Sequence, residues 1–557
     1  MSSSTAQAVT RSTPIWRSAD HRVTSDRYRF AYRRASDQDA RAVARRPVVV
    51  VGAGPVGLAT SIDLALRGVA VVLIDDADRI GEGSRGICWS KRTLEICDRL
   101  GVGESLVAQG VTWKIGKLFH GDDLVFSFDL LPEDGHKMPA FINLQQYYLE
   151  KALVERADAI DAVDLRWKNR LVGLRQHNDH VLLTIDTPDG PYSLEADWLI
   201  AADGARSSTR DLLGLNFSGV TFEDKFLIAD IRMAADLPTE RRFWFDPPFH
   251  AGQSALMHRQ PDNVWRIDLQ LGPDADVAEE QKPERVTARL KRMLGERPFE
   301  LEWISVYRFN CRRLDRFIHG RVIFVGDAAH QVSPFGARGA NSGIQDAENL
   351  AWKLALVLKG EASEGLIGSY ETERIQAADE NITHSTRSTD FIAPHSAAER
   401  ALRNAVLALA PKAEFARRMI NSGRLSVATV YESSLSTADE SPFGGSARLG
   451  APLPDCPIRN ADGSAGYLLE NLGDGFTMLT FKNGAPPPIA PEGVARLSVG
   501  VDIDDPDGAV ARRLDATPGA VCLLRPDHHL CARWRSYDRG KIGAARDRAN
   551  GRNLGIA

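Results

Sequence analysis

The first hydrophobic run in the chain is Val48–Val51, four β-branched residues in succession, which predicts a strand buried on both faces. A helix is expected next through Leu66, stopped by Gly68, and then a second apolar run, Val69–Asp76, that ends in acid. Strand, glycine turn, helix and strand within about thirty residues make a βαβ unit. The pattern changes between Gly219 and Cys311. There Arg241–Phe249 and Val264–Leu271 alternate apolar with polar residues, predicting antiparallel strands with one wet face. From Arg321 a buried strand returns at Val322–Val325. A glycine-rich loop follows it, then a long helix over 342–359 closed by Gly360, with an apolar stripe of Ile344, Ala347, Ala351, Leu354, Ala355 and Leu358. Beyond Leu435 a stretch rich in Ser, Gly and Pro (441–457) reads as a linker, after which short strands and helices resume.

These patterns predict an α/β protein in three parts. A Rossmann-type domain spans 47–435, an antiparallel sheet is inserted in it at about 219–311, and a separate C-terminal domain spans 436–557. Residues 1–46, rich in Ser and Arg, read as a flexible basic arm. The polar stretch 35–46 after Arg33-Arg34 lacks the apolar core of an export signal. A net charge of -5 argues against a broad nucleic-acid surface, and no apolar run is long enough for a membrane span. The six cysteines include no C-x-x-C pair and no zinc-ligand cluster, so reduced thiols in a cytoplasmic protein are expected.

The chemistry begins at Gly52-Ala53-Gly54-Pro55-Val56-Gly57, between the first strand and its helix. Missing side chains at Gly52, Gly54 and Gly57 let backbone amides approach a pyrophosphate at the helix N-terminus. Asp75, about twenty residues on at the end of the next strand, is placed to accept the ribose hydroxyls, with Asp76 as a possible substitute. This unit reads an adenosine diphosphate and does not separate FAD from NAD.

The segment Arg321–His330, with Gly326-Asp327 at the strand end, and the loop Gly336-Ala337-Arg338-Gly339-Ala340-Asn341 resemble the second FAD fingerprint of the flavoprotein aromatic hydroxylases, the family of para-hydroxybenzoate hydroxylase and phenol hydroxylase. Trp198–Arg210, with Asp203-Gly204, resembles that family's third fingerprint. The resemblance covers about 47–391 and implies FAD as cofactor, NADH or NADPH as co-substrate, and a single-component monooxygenase. Such an enzyme passes oxygen from dioxygen through a flavin hydroperoxide to a small phenolic or related aromatic substrate. It further implies that Asp327 binds the ribityl chain, Asp203 helps place FAD and NAD(P)H, Arg85 lies by the pyrophosphate, and Gln146 or its neighbour Gln145 touches the ribityl side. Pro334 would line the oxygen-transfer side, and the amides of Gly339, Ala340 and Asn341 would face the pyrimidine edge, where reduced flavin is negative. Arg206 and Arg210 are available for phosphates. His330 reads as packing against the loop in preference to catalysis.

Leu449–Pro452 and Val521–Asp527 resemble the thioredoxin-like domain appended in part of the family. Without C-x-x-C its expected role is packing or support of a homodimer. The resemblance puts the substrate on the middle sheet, where Trp244, Asp246, His250, His258 and Arg259 are candidates, with the alternative that they are core and turn residues. No catalytic acid or base is assigned. The halogenase signature W-x-W-x-I-P is absent. An epoxidase on the same scaffold and a non-catalytic FAD- or ligand-binding protein are the other readings.

Overall fold

The computed structural model describes residues 16–17, 28–81, 85–420 and 425–552. Ala44–Val51 is the central strand of the first sheet, paired in parallel with Val71–Asp75 on one side and Tyr192–Ala201 on the other. Val322–Phe324 adds in parallel beyond Tyr192–Ala201. Val48, Val49 and Val50 are fully buried, as a run without alternation requires when helices cover both faces of a sheet. The helix Pro55–Leu66 leaves the glycine turn with Pro55 at its first position, where proline forfeits no hydrogen bond. Ordered backbone precedes Pro47: Phe30 stacks on Trp167 at 4.6 Å, and buried Asp37 accepts from Arg166 at 2.6 Å. Within the segment expected to be a flexible arm, residues 28–46 are therefore packed on the protein, and 1–15 and 18–27 lie outside the described residues.

The second sheet is built on Ser218–Arg232, Arg241–Phe245, Ser254–Arg259, Val264–Leu271 and Glu300–Arg313. It is not confined to 219–311, because Ile115–His120 and Asp123–Asp129 extend it through the parallel pair Phe243↔Leu118. One face, with Leu227, Ala229, Ile267 and Leu269, packs on the helix Pro283–Leu294 through Val286 and Leu290. The other carries Asp230, Arg241, His258 and Arg266, all buried, so the expected wet face is polar but turned inward.

Gly339–Leu358 is buried on nearly every side. Beside the expected apolar stripe, Gln345, Asp346, Glu348, Asn349 and Lys353 are also enclosed. The C-terminal part closes over it with a seven-stranded sheet. At the centre of that sheet Phe476–Phe481 pairs in parallel with Val494–Val499 and antiparallel with Val521–Leu524. All six cysteines are free and five are buried; burial pushes the Cys97, Cys522 and Cys531 thiols up to about 12. A thiol-specific reagent is expected to modify no thiol but Cys88 in the native protein, and rapid labelling of several would refute this packing.

Candidate active site

Two helix N-termini open onto one cavity of about 980 Å³. The first belongs to Pro55–Leu66, whose N-cap Gly54 offers no side-chain cap, and the second to Gly339–Leu358, whose N-cap Arg338 offers none either. Both therefore present unsatisfied amides and a positive dipole end. A Cβ built on Gly54 meets no protein atom within 4 Å, so the space before the first turn is open. Gly57 and Gly326 are not in the cavity wall. A Cβ on Gly57 would stand 1.8 Å from the Gly52 carbonyl oxygen, and one on Gly326 3.0 Å from Val56 Cγ2, so these two glycines allow backbone to pack against backbone and side chain.

The remaining predicted positions, Gly52, Gly54, Pro55, Asp75, Arg85, Gln146, Asp203, Asp327, Pro334, Gly339, Ala340 and Asn341, all line this cavity. Asp75 is held at the strand end by the amides of Ala53 at 2.6 Å and Ala77 at 2.8 Å; burial nonetheless pushes its carboxyl up. Asp76 lines the same end. Asp327, exposed into the cavity, is likewise pushed up, by desolvation from the surrounding protein. Asp203 accepts through Oδ2 from the Thr209 amide at 2.9 Å, while its buried Oδ1 has no partner. Gln146 accepts from the Gly86 amide at 3.0 Å and lines the cavity, whereas Gln145 does not line it. Asn341 uses its side chain structurally, accepting from the Ser90 amide and donating to the Cys88 and Ala337 carbonyls. Arg206 lines the cavity; Arg210 instead lies over Phe217 and donates to the Ala205 carbonyl. His330 is bonded to Asp346 at 2.7 Å and stacked on Phe317, outside the cavity, in the packing role expected of it.

Of the middle-sheet candidates, only His258 reaches the cavity. Trp244 stacks on Phe119, Asp246 occupies a left-handed turn and accepts from the Gly252 amide, His250 donates to the Gln270 carbonyl, and Arg259 lies over Trp265. Sequence reading missed Arg241, Arg266 and Asp268. Register explains the cluster: Asp230, Arg266 and His258 lie opposite one another on successive strands, with Arg241 next in that row, and Asp268 opposite Leu256 in the neighbouring row of the same face. The period-two alternation of Arg266 and Asp268 was the available signal.

Arg266 donates to Asp230 at 3.0 Å and to the Arg85 carbonyl at 3.2 Å, linking this sheet to the flavin-side loop. Burial first, then Arg241 and Arg266, hold the His258 imidazole well below its usual value, and its Nδ1 has no partner. Asp268 is raised to about 6 by burial, against the pull of Arg266 and Arg241, and its buried Oδ1 is also without a partner.

A Rossmann sheet with its glycine turn, two uncapped helix ends and the aspartates Asp75, Asp203 and Asp327 around one cavity fit an FAD-binding oxidoreductase. A family model described as an FAD binding domain matches residues 45–385. A flavin-dependent monooxygenase of Mycobacteroides abscessus is 30% identical over 506 residues, covering 87% of this chain and 96% of the relative. Among solved structures, p-nitrophenol 4-monooxygenase from Pseudomonas putida is 29% identical with a TM-score of 0.61, covering 68% of this chain and 97% of that one. A flavin-dependent monooxygenase crystallised with FAD and substrate shares the fold at a TM-score of 0.78 and 24% identity, covering 92% of this chain and 100% of its own. The chain belongs to the FAD-dependent aromatic hydroxylases, a family of flavoprotein monooxygenases.

Proposed function

We propose that the enzyme hydroxylates a phenol held against the polar face of the second sheet, with Asp268 taking the phenolic proton. The observation that carries this is the pair of unpartnered, inward-facing polar atoms, Asp268 Oδ1 and His258 Nδ1, on the wall opposite the flavin loops. FAD, when bound, takes hydride from NAD(P)H and activates dioxygen. Gly52–Val56, Asp75 and Arg85 would hold its adenosine diphosphate half, and Asp203, Asp327, Gln146 and the 339–341 amides the remainder. The protein must then raise the electron density of the ring. A carboxyl poised near pH 6 is ionised at neutral pH and basic enough to accept a phenol proton as attack begins. Neutral His258 donates or accepts a hydrogen bond at the same oxygen, and the Arg266–Asp230 pair keeps the wall fixed. With reduced thiols and its soluble cofactors, the enzyme is read as cytoplasmic. Among the described residues no helix is long and apolar enough to cross a membrane.

The test is NAD(P)H oxidation with and without phenols, quantifying hydroxylated product and peroxide. Asp268→Asn is expected to lower product formation by about 10²–10⁴-fold. It should abolish the loss of rate below pH 6 and spare phenols already ionised at the assay pH. The ionised carboxylate is disfavoured in the folded state, so its cost is absent below the ordinary carboxylate pKa and complete above pH 6. The variant is therefore expected to melt higher than wild type at neutral pH and equally at about pH 3. Unchanged product yield with weakly acidic phenols would remove Asp268 from the reaction.

A further inference from the structure

The turn at 76–81 leaves the strand that ends in Asp75, and Asp76, Ala77, Arg79, Ile80 and Gly81 line the cavity. The body of the FAD-binding domain holds this turn in three places. Asp75 accepts from the Ala77 amide, Glu150 accepts from the Gly81 amide at 2.5 Å, and the Lys168 amide donates to the Ala77 carbonyl at 2.9 Å. A second set of contacts comes from residues 28–30, ahead of the segment 45–385 that matches the family model. The Phe30 amide donates to the Asp78 carbonyl at 2.7 Å, and Arg29 forms an antiparallel bridge with Arg79. The Phe30 ring lies on Trp167, with centroids 4.6 Å apart and planes 7° from parallel, and Trp167 is the register partner of Asp75. Tyr28 stacks at 6.4 Å on Tyr147, the residue after Gln146. Tyr28, Arg29 and Phe30 do not line the cavity, yet each grips a residue that lines it or adjoins one that does.

What fixes this segment lies further along it. Buried Asp37 pairs with Arg166 at 2.6 Å and with Arg46, and Arg166 directly precedes Trp167 on the edge strand Val163–Trp167. Arg34 donates to Asp189 at 3.1 Å, and the Tyr32 hydroxyl stands 3.1 Å from the same carboxylate and 3.2 Å from Thr187 Oγ1. The chain is thus clamped at Asp37 against the edge of the first sheet and runs from there onto the turn. Tyr28 and Phe30 are only half-buried and Arg29 is exposed, so residues 28–30 rest on one bridge and two ring contacts. An element with so few contacts of its own opens at little cost unless the surface it grips is itself held still.

Building on the reading above that sets the adenosine half of FAD beside Asp75, we infer that residues 28–39 are a strap that retains FAD by bracing the turn at 76–81, with Phe30 as its positioning residue. No residue of 28–39 lines the cavity, so the strap acts through the turn. Held by it, residues 76–81 keep the wall beside Asp75 in place; freed of it, that wall draws back from the adenosine and FAD leaves more easily. Such coupling is reciprocal, so bound FAD must in turn hold the strap down.

The experiment follows both directions of the coupling in the full chain. FAD release from the holoenzyme, read as the rise in flavin fluorescence on dilution, is expected to be about tenfold faster in Phe30→Ala than in wild type. Phe30→Tyr, whose ring stacks on Trp167 equally, should bring the rate back to within about twofold of wild type. Wild-type protein with and without FAD is then treated with trypsin, and cleavage after Arg29, Arg33 and Arg34 is timed by mass spectrometry. FAD is expected to slow cleavage there by about tenfold, and by more than it slows cleavage within Pro283–Leu294, the helix on the far face of the second sheet. This second measurement needs no variant and decides the matter even where Phe30→Ala does not fold. Release from Phe30→Ala within about twofold of wild type, or protection of the strap no greater than that of the far helix, would overturn the inference. Gly54→Ala separates it from the placement of the cofactor. Faster release in Gly54→Ala but not in Phe30→Ala leaves that placement standing and removes the strap. Faster release in Phe30→Ala but not in Gly54→Ala supports the strap and removes the placement it was built on.

Discussion

Replacing Arg525 with methionine is expected to cost about 3–5 kcal/mol of stability and to weaken FAD retention, although Arg525 lies in the C-terminal part and touches no cavity wall. Its guanidinium is fully enclosed and donates to Glu373 at 2.6 and 3.1 Å and to Asp527 at 3.0 and 2.5 Å. Glu373 also receives Lys353 and Asn349, and Asp527 receives the Trp352 indole N–H at 3.0 Å. Removing Arg525 leaves two buried carboxylates to share one lysine and a histidine. The pH dependence follows from the same contacts. Burial alone would raise Glu373 and Asp527, but Arg525, with Lys353 and His529, outweighs it and holds both below the usual carboxylate range. Their contribution is present above the ordinary carboxylate pKa and is lost only as pH falls through the depressed folded values. The variant should therefore unfold in acid at a pH where wild type stays folded. Because Asn349, Trp352 and Lys353 sit on the helix whose first turn is the flavin loop, flavin release during acid or urea titration is the readout. Coincident release curves for wild type and variant would show that the C-terminal layer does not brace the flavin site.

That coupling was not legible in the chain. On Gly339–Leu358 the apolar stripe read correctly, because local periodicity reports which face meets a core. The burial of the polar residues of the same helix has no such local signal, because their partners, Arg374, Glu373, Arg525 and Asp527, come from distant elements. The flavin half was legible for the opposite reason. Four valines, a glycine turn and an aspartate at the next strand end are local consequences of binding an anion at a helix N-terminus, and the structure brings them together. On the second sheet the alternation of Val264–Leu271 was readable, but which neighbours share its face depends on register across strands, including two from 115–129. His258 was therefore one candidate among five, and Arg241, Arg266 and Asp268 were passed over.

The two glycine classes of the first fingerprint should separate experimentally. In Gly54→Ala the backbone already has φ of -77°, open to any residue, and the new methyl meets no protein atom within 4 Å. The polypeptide is expected to fold with an apo-state melting temperature close to wild type. The methyl, however, occupies space in front of the helix N-terminus, where the proposed site puts the pyrophosphate, so FAD affinity should fall by about a hundredfold or more. In Gly57→Ala the methyl would lie 1.8 Å from the Gly52 carbonyl oxygen and 3.2 Å from the Ala202 side chain, both in the body of the protein. Backbone cannot yield as a side-chain tip does, so the helix must shift away from the strand and the glycine turn with it, an overpacking cost of about 1–3 kcal/mol or more. This variant is expected to lose stability even without cofactor and to lose FAD as a consequence. Thermal unfolding of the two apoproteins, set beside their FAD titrations, decides the matter. A Gly54→Ala protein that binds FAD normally would show that the pyrophosphate does not approach the first helix, while a Gly57→Ala protein as stable as wild type would show that the strand–helix contact yields more easily than its geometry allows.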